Sequence, residues 1–387
     1  MGQCPHMDKI ARIETFLVPP RWLFVRVETS EGAVGWGEAS LEGHAEAVVG
    51  AFEAIRDRLI GADPDRIEDA WQLCYRLGFY RGGAVLMSAL SGLDQALWDL
   101  KGKKLGVPVS SLLGGRVRDR IAVYAWIGGD RPADVAEAAA KRVAQGFSAV
   151  KMNAVEDVGW LDSPRAVDAV VERLGLVRDT GIDVGIDFHG RVHKPMARQM
   201  LSAVDPLGPL FVEEILLSDN PDEIAHVTAN CHSPIALGER LYSRWDFLPF
   251  FKSAAVDIVQ PDLSHAGGIS ECLKIANMAE AFDVALAPHC PLGPLALASC
   301  FQVAAVTSNF VIQEMSLGIH YNSPDHDLLT LLTNPEVFTI SGGMVPTLEG
   351  PGLGVSIDET AVREAAIAPH RWRNPIWRGP DGALREW

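Results

Sequence analysis

From about residue 120 onward the chain repeats one unit: a short apolar run that closes on polar residues, followed by a stretch with helical spacing. Eight runs can be read, IAVYAWI (121–127), AVKMN (149–153), DVGIDFHG (183–190), LFVEE (210–214), IALGE (235–239), DIVQPD (257–262), VALAPH (284–289) and FVIQEM (310–315). Between them lie helical patterns such as PADVAEAAAKRVAQG and SECLKIANMAEAF. Parallel strands cannot be joined by a tight hairpin, so each connection needs a crossover, and a helix after each strand is what a closed parallel barrel requires. An open, doubly wound sheet is the rival. Eight units favour the barrel, and no GxGxxG follows any run, which removes the usual nucleotide fingerprint of the open sheet.

The first 120 residues have another rhythm. IARIETFLV, WLFVRVET and AVGWGE alternate around a Ser30-Glu31-Gly32 turn, and helical spacing follows in AEAVVGAFEAIRDRLIG, DPDRIEDAWQLCYRL and VLMSALSGLDQALWDLKGKKLG. The expected architecture is α/β: an N-terminal α+β capping domain over 7–120, a TIM-like (β/α)7β barrel over 121–340, and a glycine- and proline-rich segment, 341–387, that packs back on the cap and completes it. Residues 1–6 read as an extension ahead of a second possible start at Met7.

Charge and cysteine usage narrow the partners. The formal net charge of −16 repels phosphate backbones and anionic headgroups, so nucleic acid is not an expected partner. No apolar run approaches the roughly 18 residues of a membrane span, and the first residues lack the apolar core of a secretory signal. Six scattered cysteines without a CxxC pair suit reduced thiols, and a cytoplasmic location is expected.

In a parallel barrel the C-terminal strand ends meet at one mouth, so the residues closing the strands are where chemistry is to be sought. Asp187 closes the third run, Glu213-Glu214 the fourth and Glu239 the fifth. Any one of these acids would equally suit a helix cap or an exposed ion pair. Three in register on adjacent strands repel one another, and a hard divalent cation with oxygen ligands, Mg²⁺, is the ordinary remedy. Neighbouring residues of a strand face opposite sides, so only one of Glu213 and Glu214 can face the mouth; spacing leaves the choice open.

His189 stands two residues beyond Asp187 and shares its side if the strand persists that far; a hydrogen-bonded core histidine is the alternative. Asp262 closes the sixth run and His289 the seventh, a pairing in which the carboxylate would fix the tautomer of the imidazole and raise its basicity; a capping aspartate beside an unrelated histidine is the alternative. Glu314 closes the eighth run, either as a hydrogen-bond donor to developing enolate charge or as a rim ion pair. Lys151 ends the second run with Asn153 two residues on, and either offsets the negative charge or snorkels to solvent. Neither HxH nor HExxH occurs among the histidines and GxSxG is absent, which removes the usual zinc hydrolase and serine-elbow signals.

Together with the three acids, ALSGLDQALWDLKGKKLGVPVSSLLGG (89–115) resembles the mandelate racemase subgroup of the enolase superfamily, and the likeness runs over residues 8–387. Within the subgroup the chain looks most like the D-galactonate dehydratase family, through PPRW (19–22), GFYRGG (78–83), GGDRPADV (128–135), DFHGRV (187–192), QPDLSHAGGI (260–269), APHCPLGP (287–294), SLGIHYN (316–322) and WRNPIWR (372–378). The resemblance implies one Mg²⁺ per subunit held by Asp187, Glu213 and Glu239, and so decides for Glu213. It implies His289 as the base with Asp262 as its partner, His189 as the acid and Glu314 as the group stabilising the enolate. The implied partner is a small acid sugar, D-galactonate losing water to give 2-dehydro-3-deoxy-D-galactonate; another aldonate, or a non-catalytic sugar-acid-binding relative, is the alternative. A homo-oligomer is the expected assembly. The Arg21-Trp22 loop and the 40s segment with His44 are expected to close over the mouth, where Lys151 and Asn153 complete the candidate substrate contacts. Asn153 stands where the superfamily's racemases carry a second lysine base, which disfavours racemisation. Two positions depart from the pattern: Ile215 replaces a proline, which predicts a remodelled loop after strand four, and His44 replaces an arginine, which bears on sugar-acid specificity.

Overall fold

The computed structural model describes residues 8–387 except 78, 130–132 and 369, so the expected start at Met7 lies outside the described residues. Ile10–Val18 alternates buried and more exposed residues, whereas Trp22–Thr29, central in its sheet, is buried almost throughout. With Val34–Glu38 these strands pair antiparallel in chain order. The 22-residue helix Ala84–Leu105 lies against the third strand, and Gly35 and Gly37 permit the approach. A Cβ on Gly35 would stand 2.1 Å from Ala96 O, and one on Gly37 2.2 Å from Gly92 O. The helix stops at Gly106, whose φ of 69° is the left-handed conformation that glycine adopts without a Cβ clash.

Eight parallel strands follow: Arg120–Ile127, Ala149–Asn153, Asp183–Asp187, Val212–Glu213, Ile235–Leu237, Ile258–Val259, Ala285–Leu286 and Gln313–Met315. They pair in chain order, the eighth pairs with the first, and a parallel bridge between Leu286 and Phe310 joins the seventh run to the eighth. Helices Val135–Ala144, Pro164–Arg178, Lys194–Val204, Pro221–Thr228, Arg244–Lys252, Gly268–Glu280 and Pro294–Val306 fill the seven connections, the (β/α)7β order expected. Tyr124, Ala149, Phe211 and Ala236 pack together as one cluster inside the ring, and a Cβ on Gly185 would meet the Phe211 ring at 2.5 Å. The barrel is therefore filled by side chains, not open. Its ladders are shorter than the apolar runs: the sixth spans Ile258–Val259 although the run extends to Asp262.

Segment 341–387 is shared between both parts of the fold. Met344–Pro346 pairs antiparallel with residues 120–122 of the first barrel strand, while helix Glu359–Ala365 lies on Ile10–Val18, with Arg363 3.1 Å from Glu14 and Glu359 3.3 Å from Arg26. Among the described residues no helix is long and apolar enough to cross a membrane.

Carboxylates of the N-terminal half hold the seam with the barrel by capping its helices. Glu38 accepts from Gly293 N at 2.8 Å and Ala296 N at 3.0 Å, at the start of Pro294–Val306, and from Ser40 Oγ at 2.7 Å. Asp94 accepts from Ser270 N at 3.0 Å, near the start of Gly268–Glu280. Burial outweighs these bonds and pushes Glu38 from its ordinary 4.5 up to about 7. With the folded value above the unfolded one, the folded state keeps the extra proton, so this contribution is complete below pH 4.5 and is lost as the pH rises through 7. Glu38→Gln keeps the shape of the protonated acid and should escape that loss. Its stability relative to the natural protein is expected to rise by about 3 kcal/mol between pH 4.5 and pH 8, read from denaturant midpoints. A difference constant over that range would mean that the helix N-terminus keeps Glu38 ionised.

Candidate active site

Asp187 and Glu213 are the last ladder residues of strands three and four and face one another in register. Both are fully buried. Lys151, from the second strand, donates to Glu213 Oε1 at 2.9 Å and Oε2 at 3.0 Å, and lies 3.3 Å from Asp187 Oδ2 and 3.2 Å from Glu314 Oε1. Gln260 Nε2 donates to Glu213 Oε2 at 2.7 Å. Burial works against the charge on Lys151, yet Glu213, Glu314 and Asp187 together hold its pKa well above the ordinary lysine value. Burial, with repulsion from Asp187, pushes Glu213 well above the carboxylate range in spite of the lysine.

Glu213 and Glu214 part company at the strand end. Glu214 follows the last paired residue with φ of 41°, a turn that takes its carboxylate to Arg240 Nε at 2.9 Å and Ser218 Oγ at 3.1 Å. Ile215, in the loop expected to be remodelled, is buried in the core. Strand alternation has thus ended where the choice between the two acids is made.

His189 reaches the cluster by a turn as well. The third strand stops at Asp187; His189 has φ of 49°, its N–H donates to Asp187 Oδ1 at 2.8 Å and its Nε2 lies 3.1 Å from Asp187 Oδ2. Burial draws this imidazole down to about 4 against the attraction of Asp187 and Glu239. His289 Nδ1 lies 2.8 Å from Asp262 Oδ2, and its Nε2 3.1 Å from Glu239 Oε2 and 3.9 Å from Glu314 Oε2. Burial works against the charge on His289 too, but Glu239, Glu314 and Asp262 hold its pKa well above the ordinary histidine value. Glu314 Oε2 accepts from Cys290 N at 2.9 Å.

The donor set suits a divalent cation. Asp187 Oδ2, Glu239 Oε2 and Glu314 Oε1 are buried without a well-aligned hydrogen bond among the described residues, held only by ion-pair contacts with Lys151, His189 and His289, and hard oxygens crowded in this way are what such an ion binds. Ligand atoms of Asp187, His189 and Glu239 lie within 4.8 Å of one another. Glu213, adjacent to Asp187, is taken up by Lys151 and Gln260.

His189, Glu239, His289 and Glu314 line a cavity of about 280 Å³ between the barrel mouth and the cap, while Asp187, Glu213 and Asp262 are buried and are not among its lining residues. Of the five candidate substrate contacts, Arg21 and Lys151 line it. Trp22 turns into the core, stacked on Phe24 at 6.0 Å. His44 is exposed at the N-cap of helix Ala45–Leu59, and Glu42, two residues earlier, lines the cavity instead. Asn153 donates to Gly129 O at 3.0 Å and is not among the lining residues. His265, Arg240, Tyr321, Asn374 and Trp387 also line the cavity, and sequence reasoning did not pick them out. The strings QPDLSHAGGI and WRNPIWR that hold His265 and Asn374 are legible in the sequence; which residue of each faces the cavity is not.

Residues 134–361 match the family described as enolase C-terminal domain-like, and residues 16–114 match the N-terminal domain of mandelate racemase / muconate lactonizing enzyme. The chain is 53% identical over 382 residues to the D-galactonate dehydratase of Variovorax paradoxus (strain S110), covering 98% of this chain and 100% of the relative. Its identity to the D-galactonate dehydratase of Ralstonia nicotianae is 52% with the same coverage. Among solved structures, an enolase from Agrobacterium radiobacter with bound sodium and L-malate matches with a TM-score of 0.88 at 32% identity, over 97% of this chain and 99% of that one. A mandelate racemase/muconate lactonizing enzyme from Sulfitobacter sp. matches with a TM-score of 0.86 at 28% identity, over 96% and 99%.

Proposed function

The chain belongs to the mandelate racemase / muconate lactonizing enzyme family of the enolase superfamily, and on that premise we propose that it is a Mg²⁺-dependent hydro-lyase that removes water from D-galactonate to give 2-dehydro-3-deoxy-D-galactonate. One observation carries the proposal: His189, Glu239, His289 and Glu314 line a single cavity, with Asp187 against His189 and Asp262 against His289, in a chain about half identical, end to end, to D-galactonate dehydratases. Asp187, Glu213 and Glu239 would hold one Mg²⁺ per subunit, and Lys151 would balance the remaining charge. When bound, the ion would take up negative charge from these acids and from the substrate carboxylate, easing loss of the C2 proton and releasing His289 from the field that retains its own proton.

His289, oriented by Asp262, takes the C2 proton. The C3–O bond then breaks; His189, which burial holds neutral in the free protein and which must therefore take up a proton first, gives that proton to the departing hydroxyl, which leaves as water, and the resulting enol tautomerises to the 2-keto acid. Glu314, fixed by the Cys290 N–H, faces the developing charge from the same rim. In this scheme residues 7–120 act as the substrate lid, 121–340 as the catalytic barrel and 341–387 as the segment joining them, in a cytoplasmic homo-oligomer.

Supplied with Mg²⁺ and a panel of aldonic acids, the purified protein is expected to form 2-keto acid from D-galactonate with kcat/KM at least about tenfold above that for its epimers, because a misplaced hydroxyl leaves buried polar groups unpaired. Turnover of a different aldonate alone would remove galactonate and leave the chemistry. Turnover of none would overturn the dehydratase reading.

A further inference from the structure

The carboxylates that hold the cap on the barrel are saturated. Besides Glu38 and Asp94, Asp99, which ties the cap to the C-terminal segment, accepts from Trp36 N at 2.8 Å and Leu353 N at 2.9 Å. Glu42 is different. It lies between strand Val34–Glu38 and helix Ala45–Leu59, its side chain keeps 17% of its surface exposed, and it lines the cavity. The basic groups beside it are distant partners, Arg21 at 3.8 Å and His265 Nε2 at 3.4 Å.

Both are anchored elsewhere. The Arg21 guanidinium lies 3.8 Å over the Tyr321 ring and donates to Pro291 O at 3.4 Å, and His265 Nδ1 lies 3.1 Å from Ser88 Oγ. They still keep Glu42 ionised: although burial opposes it, His265 and Arg21 draw its pKa down to about 2. A charged acceptor with oxygen lone pairs to spare therefore overhangs a cavity whose other groups are read as binding an anion.

Such a group suits the hydroxyl-bearing part of a substrate and not its carboxylate. A carboxylate accepts hydrogen bonds from hydroxyl groups and repels another carboxylate, so one group supplies both attraction to the right ligand and a penalty against the wrong one. We infer that Glu42 is a specificity-determining residue, which accepts hydrogen bonds from the hydroxylated end of a mono-acid sugar and excludes the corresponding diacid by like-charge repulsion. The inference rests on the acid-sugar reading of the site.

The test compares D-galactonate with galactarate, the same six-carbon chain carrying a carboxylate at each end, on the Mg²⁺-loaded protein. The natural protein should favour the mono-acid about a hundredfold or more in kcat/KM. Glu42→Gln should cut that ratio by at least about tenfold, through weaker use of the mono-acid and better use of the diacid, since Arg21 is then unopposed. Glu42→Asp keeps the charge and should keep the preference. Equal use of both acids by the natural protein, or an unchanged ratio in a folded Gln variant, would overturn the inference. Should neither acid yield a keto acid, the dehydratase reading fails by itself, and calorimetric binding of the two acids to the natural protein and to the Gln variant decides the role of Glu42 by the same ratio.

Discussion

In D₂O, the His289→Asn protein is expected to form no 2-keto acid from D-galactonate and to place no deuterium at C2, whereas the His189→Asn protein keeps the exchange and loses the dehydration. Each loss of dehydration should reach about a thousandfold, the scale of a missing general base or acid. The two proton transfers are separable because the two rings are held separately. His289 is fixed through Nδ1 by Asp262, which leaves Nε2 toward Glu239 and the cavity. His189 leans on Asp187 through Nε2, and its Nδ1 is buried without a hydrogen bond among the described residues. Exchange requires only that the conjugate acid of His289 trade its proton with solvent before returning it to carbon. Exchange surviving only in His289→Asn would reverse base and acid, the direction in which burial and the surrounding carboxylates already bias the two rings. Loss of exchange in both variants, with Mg²⁺ affinity intact in each, would remove the division of labour.

Chelation is expected to abolish turnover and Mg²⁺ to restore it, with the ligand set exposed by three substitutions. Glu213→Gln should weaken Mg²⁺ binding by about a hundredfold, measured calorimetrically, because it removes an anionic oxygen where hard donors are needed. Glu214→Gln should leave the affinity within about threefold. Its cost falls on stability, about 1–3 kcal/mol, because Arg240 loses the charged partner of a short bond. His189→Asn should also leave the affinity within about threefold, although its ring stands in the 4.8 Å group with Asp187 and Glu239. If His189→Asn were the damaging change and Glu213→Gln harmless, the third ligand would be an imidazole and Glu213 the counter-ion of Lys151.

Much of this site is legible in the linear sequence because strand ends in a parallel barrel announce themselves. Asp187 and Glu213 lie near the polar ends of their runs, and their pairing in register follows from the repeat of strand and helix. Asp262 and His289 lie past ladders that stop at Val259 and Leu286, yet the runs aim both at the mouth, and they meet at 2.8 Å. Residues of the N-terminal domain beside the cavity are less legible. Nothing local distinguishes Glu42 from His44; their fates depend on where helix Ala45–Leu59 begins, which leaves His44 as its exposed N-cap and Glu42 over the cavity. Trp22, beside the lining residue Arg21, belongs to a central strand whose residues are buried on both faces, so it becomes core.

By itself the sequence determined the order of strands and helices, the barrel, and the placement of an acid or a histidine at the end of the strands that make the mouth. Those properties are set by periodicity and by short connections, which act over a few residues at a time. Tertiary structure alone decided the facing of residues where the ladder ends: φ of 41° at Glu214 and 49° at His189 breaks the period of two, so alternation no longer says which way a side chain points. It also decided that Asn153 turns to Gly129 O and that Asn374 and Trp387, more than 180 residues beyond Asp187, line the same cavity as the strand ends. Such choices are made by packing between segments remote in the chain, where the energy of a contact depends on neighbours that no local window contains.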